Sequence, residues 1–280
     1  MAKIDFVPYP PTSFPFRDLI VLDQLPLSST DTVCEIGVGS GGTTARLAKQ
    51  CASVTGFEIS AGTVAELRYL EERFPNLRFV VGDITVPEQT RPFEGSFTRV
   101  LACDTLEHVT DPAAFFRAIY RLLAPGGEFL VTFPNEPLEK MHGITRFDEP
   151  RQIESLIGNA GLVDARVGTC VMNRSASFVA DALGWGPLRL ARKVLRRRRA
   201  GGDDAGAPPP QTFDQTHFMK NMGTYRKMAP LINLYWYGVL KLMDARGPAF
   251  AVDWRFERAP FTDCQVFITG KKSLREAVAA

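Results

Sequence analysis

The sequence predicts an α/β fold: a seven-stranded, mostly parallel sheet with helices on both faces and a helical insertion before the last strand. Three observations predict it. From Asp31 to about Phe133, short apolar runs rich in β-branched and aromatic residues alternate with helix-like segments. The runs are too apolar to have one wet face, as expected of strands covered on both sides. The first run passes through a cluster of glycines directly into a helix.

The elements follow in order. Val33–Gly37 is the first strand, and a helix runs from about Gly42 to Cys51. Ser53–Glu58 is the second strand, with a helix over Ala61–Arg73. Leu77–Gly82 and Arg99–Asp104 are the third and fourth strands. Pro112 opens a helix that runs to about Leu123, because proline suits a first helical turn, where its missing N–H has no partner to lose. Pro125-Gly126-Gly127 marks a turn before the fifth strand, Glu128–Phe133. A helix over Pro150–Ala160 ends at Gly161, a suitable residue for the left-handed position after a helix. Leu162–Val171 and Cys264–Thr269 complete the seven strands. Residues 1–30 read as an N-terminal cap region and 31–172 as the core. Residues 173–262 read as an insertion, and 263–280 as the last core strand and tail.

Composition excludes several classes. The chain has 280 residues, 45% hydrophobic and 23% charged, which suits a globular domain and not a disordered or collagen-like chain. No apolar stretch reaches 18 residues, so no spanning helix is expected. Met1–Phe16 carries four prolines and no apolar h-region, so no signal peptide is expected. The five cysteines, Cys34, Cys51, Cys103, Cys170 and Cys264, are scattered and form no CxxC. They predict neither a zinc site nor a disulfide framework, and they suit a reducing cytoplasm. The net charge of +2 conceals an asymmetry: Arg189–Arg199 holds seven basic residues and no acid, which leaves 26 basic against 31 acidic residues elsewhere.

The most informative run is Val33-Cys-Glu-Ile-Gly-Val-Gly-Ser-Gly-Gly-Thr-Thr44. Glycines here permit positive φ and let a ligand approach the backbone. Gly37, Gly39 and Gly42 satisfy GxGxxG, while Gly37, Gly39 and Gly41 satisfy GxGxG, so spacing leaves a dinucleotide and a nucleoside ligand both open. Glu58, ending the second strand, suits a ribose diol in either case. Glu35 separates them: a carboxylate beside the turn repels a pyrophosphate and attracts an ammonium group.

With these motifs the sequence resembles the class I S-adenosylmethionine (SAM)-dependent methyltransferases, especially their small-molecule and quinone-type group. The resemblance rests on Glu35-Ile-Gly-Val-Gly-Ser-Gly41, Glu58, Gly82-Asp83-Ile84, Asp104-Thr-Leu-Glu-His-Val-Thr-Asp-Pro112 and Leu122-Leu-Ala-Pro-Gly-Gly-Glu-Phe-Leu-Val131. It implies a Rossmann-like core with SAM as cofactor. Glu35, Gly37, Gly39 and Gly41 would surround the methionine part. Glu58 would hold the ribose, Ile59 would pack on adenine, and Asp83 would bond the adenine amino group with Ile84 beside the ring. Asp104 and Thr105 would line the methionine side. Asp83 has a second reading as a cap of the next turn.

Methyl transfer from a sulfonium needs positioning first, and a base only where the acceptor must lose a proton. His108 follows strand four beside Glu107 and is the candidate base, with a structural histidine as the alternative. His142 lies in the loop after strand five, which in the resembled family is near the acceptor. No His/carboxylate set has metal-ligand spacing, so no metal is expected. The N-terminal Phe14, Phe16, Leu19, Ile20, Leu22 and Leu25 follow helical spacing, over the cofactor site or on the sheet.

The run Arg189–Arg199, interleaved with Leu188, Leu190, Val194 and Leu195, suits an anionic membrane surface. Phe218–Asp244 reads as an aromatic helix around Tyr235-Trp236-Tyr237. A solvated basic face, a lid over substrate and a homodimer contact are its other readings. Nucleic acid is not an expected partner. The sequence thus predicts a cytoplasmic SAM-dependent methyltransferase, membrane-associated in one reading, acting on a small or lipid-linked acceptor, most readily on oxygen. A nicotinamide-dependent oxidoreductase and a non-catalytic scaffold of the same fold are the alternatives.

Overall fold

The computed structural model describes residues 21–172, 178–179, 182–183, 230–231, 233–243, 250–254, 261 and 264–274. Most of the basic insertion, the Gly/Pro-rich Ala200–Gln211, His217 and the residues before Val21 lie outside these.

Eight strands form one sheet: β1 Thr32–Ile36, β2 Ser53–Glu58, β3 Leu77–Val81, β4 Phe97–Cys103, β5 Leu123–Asn135, β6 Leu162–Met172, β7 Phe250–Asp253 and β8 Cys264–Lys272. Their order is β3-β2-β1-β4-β5-β8-β6-β7. The first five pair in parallel, whereas β8 is antiparallel to both β5 and β6, and β7 to β6. The strand beyond the expected seven is β7, which falls inside 173–262. It extends the sheet by pairing Phe250–Asp253 with Thr169–Met172.

Helices α1 Gly42–Ala48, α2 Ala61–Leu67, α3 Tyr69–Arg73, α4 Pro87–Thr90, α5 Pro112–Leu122 and α6 Pro150–Asn159 connect the strands. The expected helix over Ala61–Arg73 is split in two at Arg68. In α5, Asp111 caps the helix by accepting from the Ala114 N–H at 2.9 Å, and Pro112 occupies the first turn. Its buried residues Phe115, Phe116, Ile119 and Leu122 recur at helical spacing. They join Val100, Ala102, Phe129, Val131 and Phe133, and Ile153 and Ile157 of α6, on one face of the sheet. The alternate residues Leu101 and Leu130 face the other way, into a cluster with Val33, Leu47, Val54, Leu67 and Leu70. Val21, Leu22 and Leu25 pack into this second cluster.

Pro125-Gly126-Gly127 does not separate helix from strand. Strand β5 begins at Leu123, and the glycines form an irregularity within it, between the Phe97–Leu123 and Arg99–Glu128 pairs. Gly126 adopts φ 76°, and a side chain at Gly127 would meet the backbone oxygens of Ala124 and Phe97 at 2.9 and 3.0 Å. The extra residues are thus absorbed as a bulge.

Asn135 ends β5 fully buried. Its amide donates to the carbonyls of Phe147, at 2.8 Å, and Phe261, while its oxygen accepts from the Phe147 N–H at 3.1 Å. One side chain thus ties the strand to the loop ahead of α6 and to the residues before β8. Asn135→Ala should cost about 3 kcal/mol, because it leaves buried backbone groups unsatisfied. Urea unfolding measures it, and a loss below about 0.5 kcal/mol would mean that water replaces the amide.

Candidate active site

Sheet register brings the chemistry to one edge. Ile36 lies opposite Phe57 and Ala102, and Phe57 opposite Val80, so β1 to β4 end level with one another. Gly37, Glu58, Asp83 and Asp104 all leave the sheet there. Gly37, Gly39 and Gly41 have φ of 74°, 50° and 75°, the left-handed region that favours glycine. A Cβ on Gly37 would stand 2.3 Å from the Thr105 hydroxyl, and one on Gly41 2.9 Å from Leu70. One on Gly39 would meet nothing within 4 Å. The protein's own packing therefore demands two of these glycines, whereas Gly39 faces open space. Glu35, two residues before the turn, is only 2% exposed.

On the neighbouring strand, Glu58 accepts from the Ser60 N–H at 3.0 Å through one carboxylate oxygen. Ile59 is 70% exposed, an open apolar side chain beside that acid. Asp83 accepts from both the N–H and the hydroxyl of Thr85 at 2.8 and 2.7 Å, the turn-capping geometry foreseen as its second reading. Its own N–H donates to Gln89. Ile84 is buried in the core with Ile36 and Phe57. Ile59, not Ile84, offers the larger open apolar surface.

After β4, Asp104 holds the left-handed φ of 49°, a strained conformation for a residue with a side chain. Its carboxylate accepts from Gln265 of β8 at 2.7 Å and from Thr132 at 3.3 Å. The Thr105 hydroxyl donates to the Ile36 carbonyl at 3.1 Å, so it fastens this turn to the Gly37 turn.

Three expected residues then converge. Glu107 is 2% exposed, and one of its oxygens lies 3.8 Å from Nε2 of both His108 and His142. The imidazoles meet edge to face with centroids 5.5 Å apart. Gly143 makes the meeting possible: a Cβ there would stand 2.5 Å from the Glu107 carbonyl oxygen. That carbonyl accepts from the N–H groups of Ile144 and Thr145 at 2.7 and 3.0 Å. Glu136 grips His142, accepting from its backbone N–H at 3.0 Å, and lies 2.5 Å from its Nδ1. Single donor atoms of Glu107, His108 and His142 all lie within 4.8 Å of one another. The three are thus a group that could hold a metal ion, brought together by the fold although their spacing along the sequence does not announce one.

Residues 34–131 match the family described as Methyltransferase domain. The matched segment is a class I SAM-dependent methyltransferase domain. The match decides against the dinucleotide reading of the glycines. A ubiquinone biosynthesis O-methyltransferase of Pseudomonas paraeruginosa is 35% identical over 107 residues, 38% of this chain and 46% of that protein. One from Sodalis glossinidius is 28% identical over 155 residues, 48% of this chain and 61% of its own length. The chain thus spans about half the length of the relatives it matches. The solved phosphoethanolamine N-methyltransferase 2 of Haemonchus contortus, in complex with SAM, superposes with a TM-score of 0.56 at 17% identity. It covers 92% of this chain and 52% of its own. The [4+2]-cyclase SpnF superposes at 0.52 with 16% identity, over 93% of this chain and 81% of its own. At these identities the likeness concerns the fold.

Sequence reasoning did not find Gln265 or Glu136. Gln265 comes from a strand 161 residues after Asp104 and carries no local signal. Glu136 stands six residues before His142, a spacing without meaning outside this loop.

Burial lowers the pKa of His108, the neighbouring His142 lowers it further, and Asp104 opposes both. His108 is therefore neutral at neutral pH. A histidine whose folded pKa lies below its unfolded value near 6.5 opposes folding at acid pH, and stability rises as pH climbs toward 6.5. His108→Gln should flatten the acid side of the stability–pH curve below about 6.5. Thermal unfolding of both proteins from pH 5 to 8 measures this, and parallel curves would contradict it.

Proposed function

We infer that the protein transfers a methyl group from SAM to an oxygen of a small or lipid-linked acceptor. The observation that carries this reading is the matched methyltransferase domain with its acids and glycines at one sheet edge. The arrangement fits the cofactor: Gly39 faces open space, the buried Glu35 suits an ammonium group, and Glu58 stands beside the exposed Ile59. Glu58 would take the ribose hydroxyls, Ile59 would cover the adenine, and Asp83 would meet its polar edge. Ile84 would support that wall from the core, and Asp104 and Thr105 would close the methionine side. SAM, when bound, supplies a methyl group already activated on sulfur. The chain then has to orient the acceptor, exclude water and receive a proton, tasks that suit Glu107, His108 and His142. Oxygen is favoured because the ubiquinone biosynthesis relatives are named O-methyltransferases.

Glu58→Ala should weaken SAM binding by roughly 1.5–3 kcal/mol, the scale of hydrogen bonds to a charged group, with the fold retained. Calorimetry with SAM measures it, and unchanged affinity would remove Glu58 from the ribose site. Transfer of labelled methyl from SAM into small-molecule and lipid fractions tests the reaction itself.

One observation also favours attachment to an anionic membrane. Residues 233–243 are helical, with Trp236, Val239, Leu240 and Met243 buried at helical spacing. Leu231, Leu234, Tyr235 and Leu242 remain exposed, in the same insertion as the run Arg189–Arg199. Among the described residues no helix is long and apolar enough to cross a membrane, so the attachment would be peripheral. Each Arg near such a surface contributes about 1 kcal/mol. Changing Arg196–Arg199 to Ser should nearly abolish sedimentation with anionic vesicles. If the unaltered protein ignores such vesicles at low salt, the exposed stripe is better read as a lid or a dimer contact.

A further inference from the structure

Two imidazoles, His108 and His142, meet beside Glu107, and their surroundings differ. His108 is about half exposed, and the nearest carboxylate among its ion-pair contacts is 3.8 Å away. His142 is held at two points by one carboxylate: Glu136 accepts from its backbone N–H at 3.0 Å and lies 2.5 Å from Nδ1. A carboxylate that accepts at Nδ1 favours the tautomer with its proton there and its lone pair on Nε2, which lies 3.8 Å from the Glu107 carboxylate, as Nε2 of His108 does. The loop is tied to the turn after β4: Ile144 and Thr145 donate to the Glu107 carbonyl and Gly143 packs against it. The Thr145 hydroxyl bonds the Val109 carbonyl at 2.6 Å. A base oriented by a third group is the recurring solution for proton transfer from a hydroxyl.

We propose that Glu136 is a positioning residue that fixes the ring and tautomer of His142, and that Nε2 of His142 takes the acceptor's proton. This rests on the O-methylation reading above. The acceptor oxygen forms its bond to the methyl carbon as the carbon–sulfur bond opens with its electron pair left on sulfur. The acceptor's proton passes to Nε2, and solvent later receives it. Glu136 keeps Nδ1–H in place. His108, edge-on to the ring, acts as a wall of the site and not as the base.

The chain has only three histidines, so their ring signals can be assigned by substituting them singly. In ¹⁵N-histidine spectra at about pH 9, where imidazoles are neutral, His142 should be the Nδ1–H tautomer. In Glu136→Ala it should revert toward Nε2–H, the form that free histidine side chains favour. Glu136→Gln, which can still accept at Nδ1, should keep the tautomer, and it guards against a misfolded alanine variant. With catechol as test acceptor and labelled SAM, His142→Gln should lower kcat about 10²–10⁴-fold. Glu136→Ala should lower it at least about tenfold, and His108→Ala less than tenfold, with KM for SAM within about twofold of normal in each.

An Nε2–H tautomer in the unaltered protein would overturn the proposal, as would a His142→Gln loss below about threefold. Turnover abolished by EDTA and restored by Zn²⁺ would overturn it too, making Glu107, His108 and His142 ligands. If catechol is not methylated, the acceptor reading fails by itself and the tautomer measurement still decides the role of Glu136.

Discussion

Gly37 and Thr105 can occupy the same edge of the sheet only because Gly37 has no side chain. The 2.3 Å that would separate a Cβ from the Thr105 hydroxyl leaves room for nothing else. That closeness lets the hydroxyl reach the Ile36 carbonyl and locks the turn after β1 to the turn after β4. Everything chemical hangs from this joint. On one side the glycine turn leads to open space at Gly39. On the other, the chain passes through the strained Asp104 and on to Glu107 and His108 within four residues. A strained φ persists only where surroundings enforce it, and here Gln265 and Thr132 hold the Asp104 carboxylate while Thr105 anchors the next residue.

The parallel half of the fold could be read from the sequence because its signals are local. The bounds of β2, the start of β3 and the proline start of α5 follow from apolar runs and turn residues within a few positions. The bulge at Gly126 could not be read so. Whether Pro-Gly-Gly ends an element or interrupts one depends on what pairs with it, and here β4 supplies partners on both sides. For the same reason β7 was absorbed into the insertion: four residues, Phe250–Asp253, become a strand only because β6 offers its edge. The split of the second helix at Arg68 likewise lacks a glycine or proline to announce it.

The site divides along the same line. Glu35, the glycines, Glu58 and Asp83 stand at strand ends, and each can be placed by counting from an apolar run. The convergence of Glu107, His108 and His142 cannot be counted: it needs the loop after β5 to fold back onto the turn after β4. The residues that enforce the return are inconspicuous. Gly143 contributes only the absence of a side chain, and Asn135 ties the end of β5 to Phe147 from a fully buried position. Ile84 shows the opposite case. Its place in a motif suggests contact with a ligand, while only the structure shows that it is also packed in the core with Phe57.

The antiparallel end of the sheet belongs to the site as well as to the scaffold. Strand β8 inserts between β5 and β6, where it is antiparallel to both, so its first residues lie level with the last residues of β5. Gln265 therefore reaches Asp104, and the segment just before β8 brings the Phe261 carbonyl to Asn135. The turn after β4 and the loop after β5 are thus joined through a strand that lies far along the chain from both. Fold alone does not fix the reaction, since a [4+2]-cyclase shares this architecture. What can differ between such proteins is the chemistry mounted on the loops after β4 and β5. In this chain that chemistry is a buried carboxylate, two imidazoles and a second carboxylate, held by backbone bonds that leave the loops little freedom. Where an acceptor must lose a proton, preorganised groups that take it without rearranging are what transfer from an already activated methyl donor would still require of a protein.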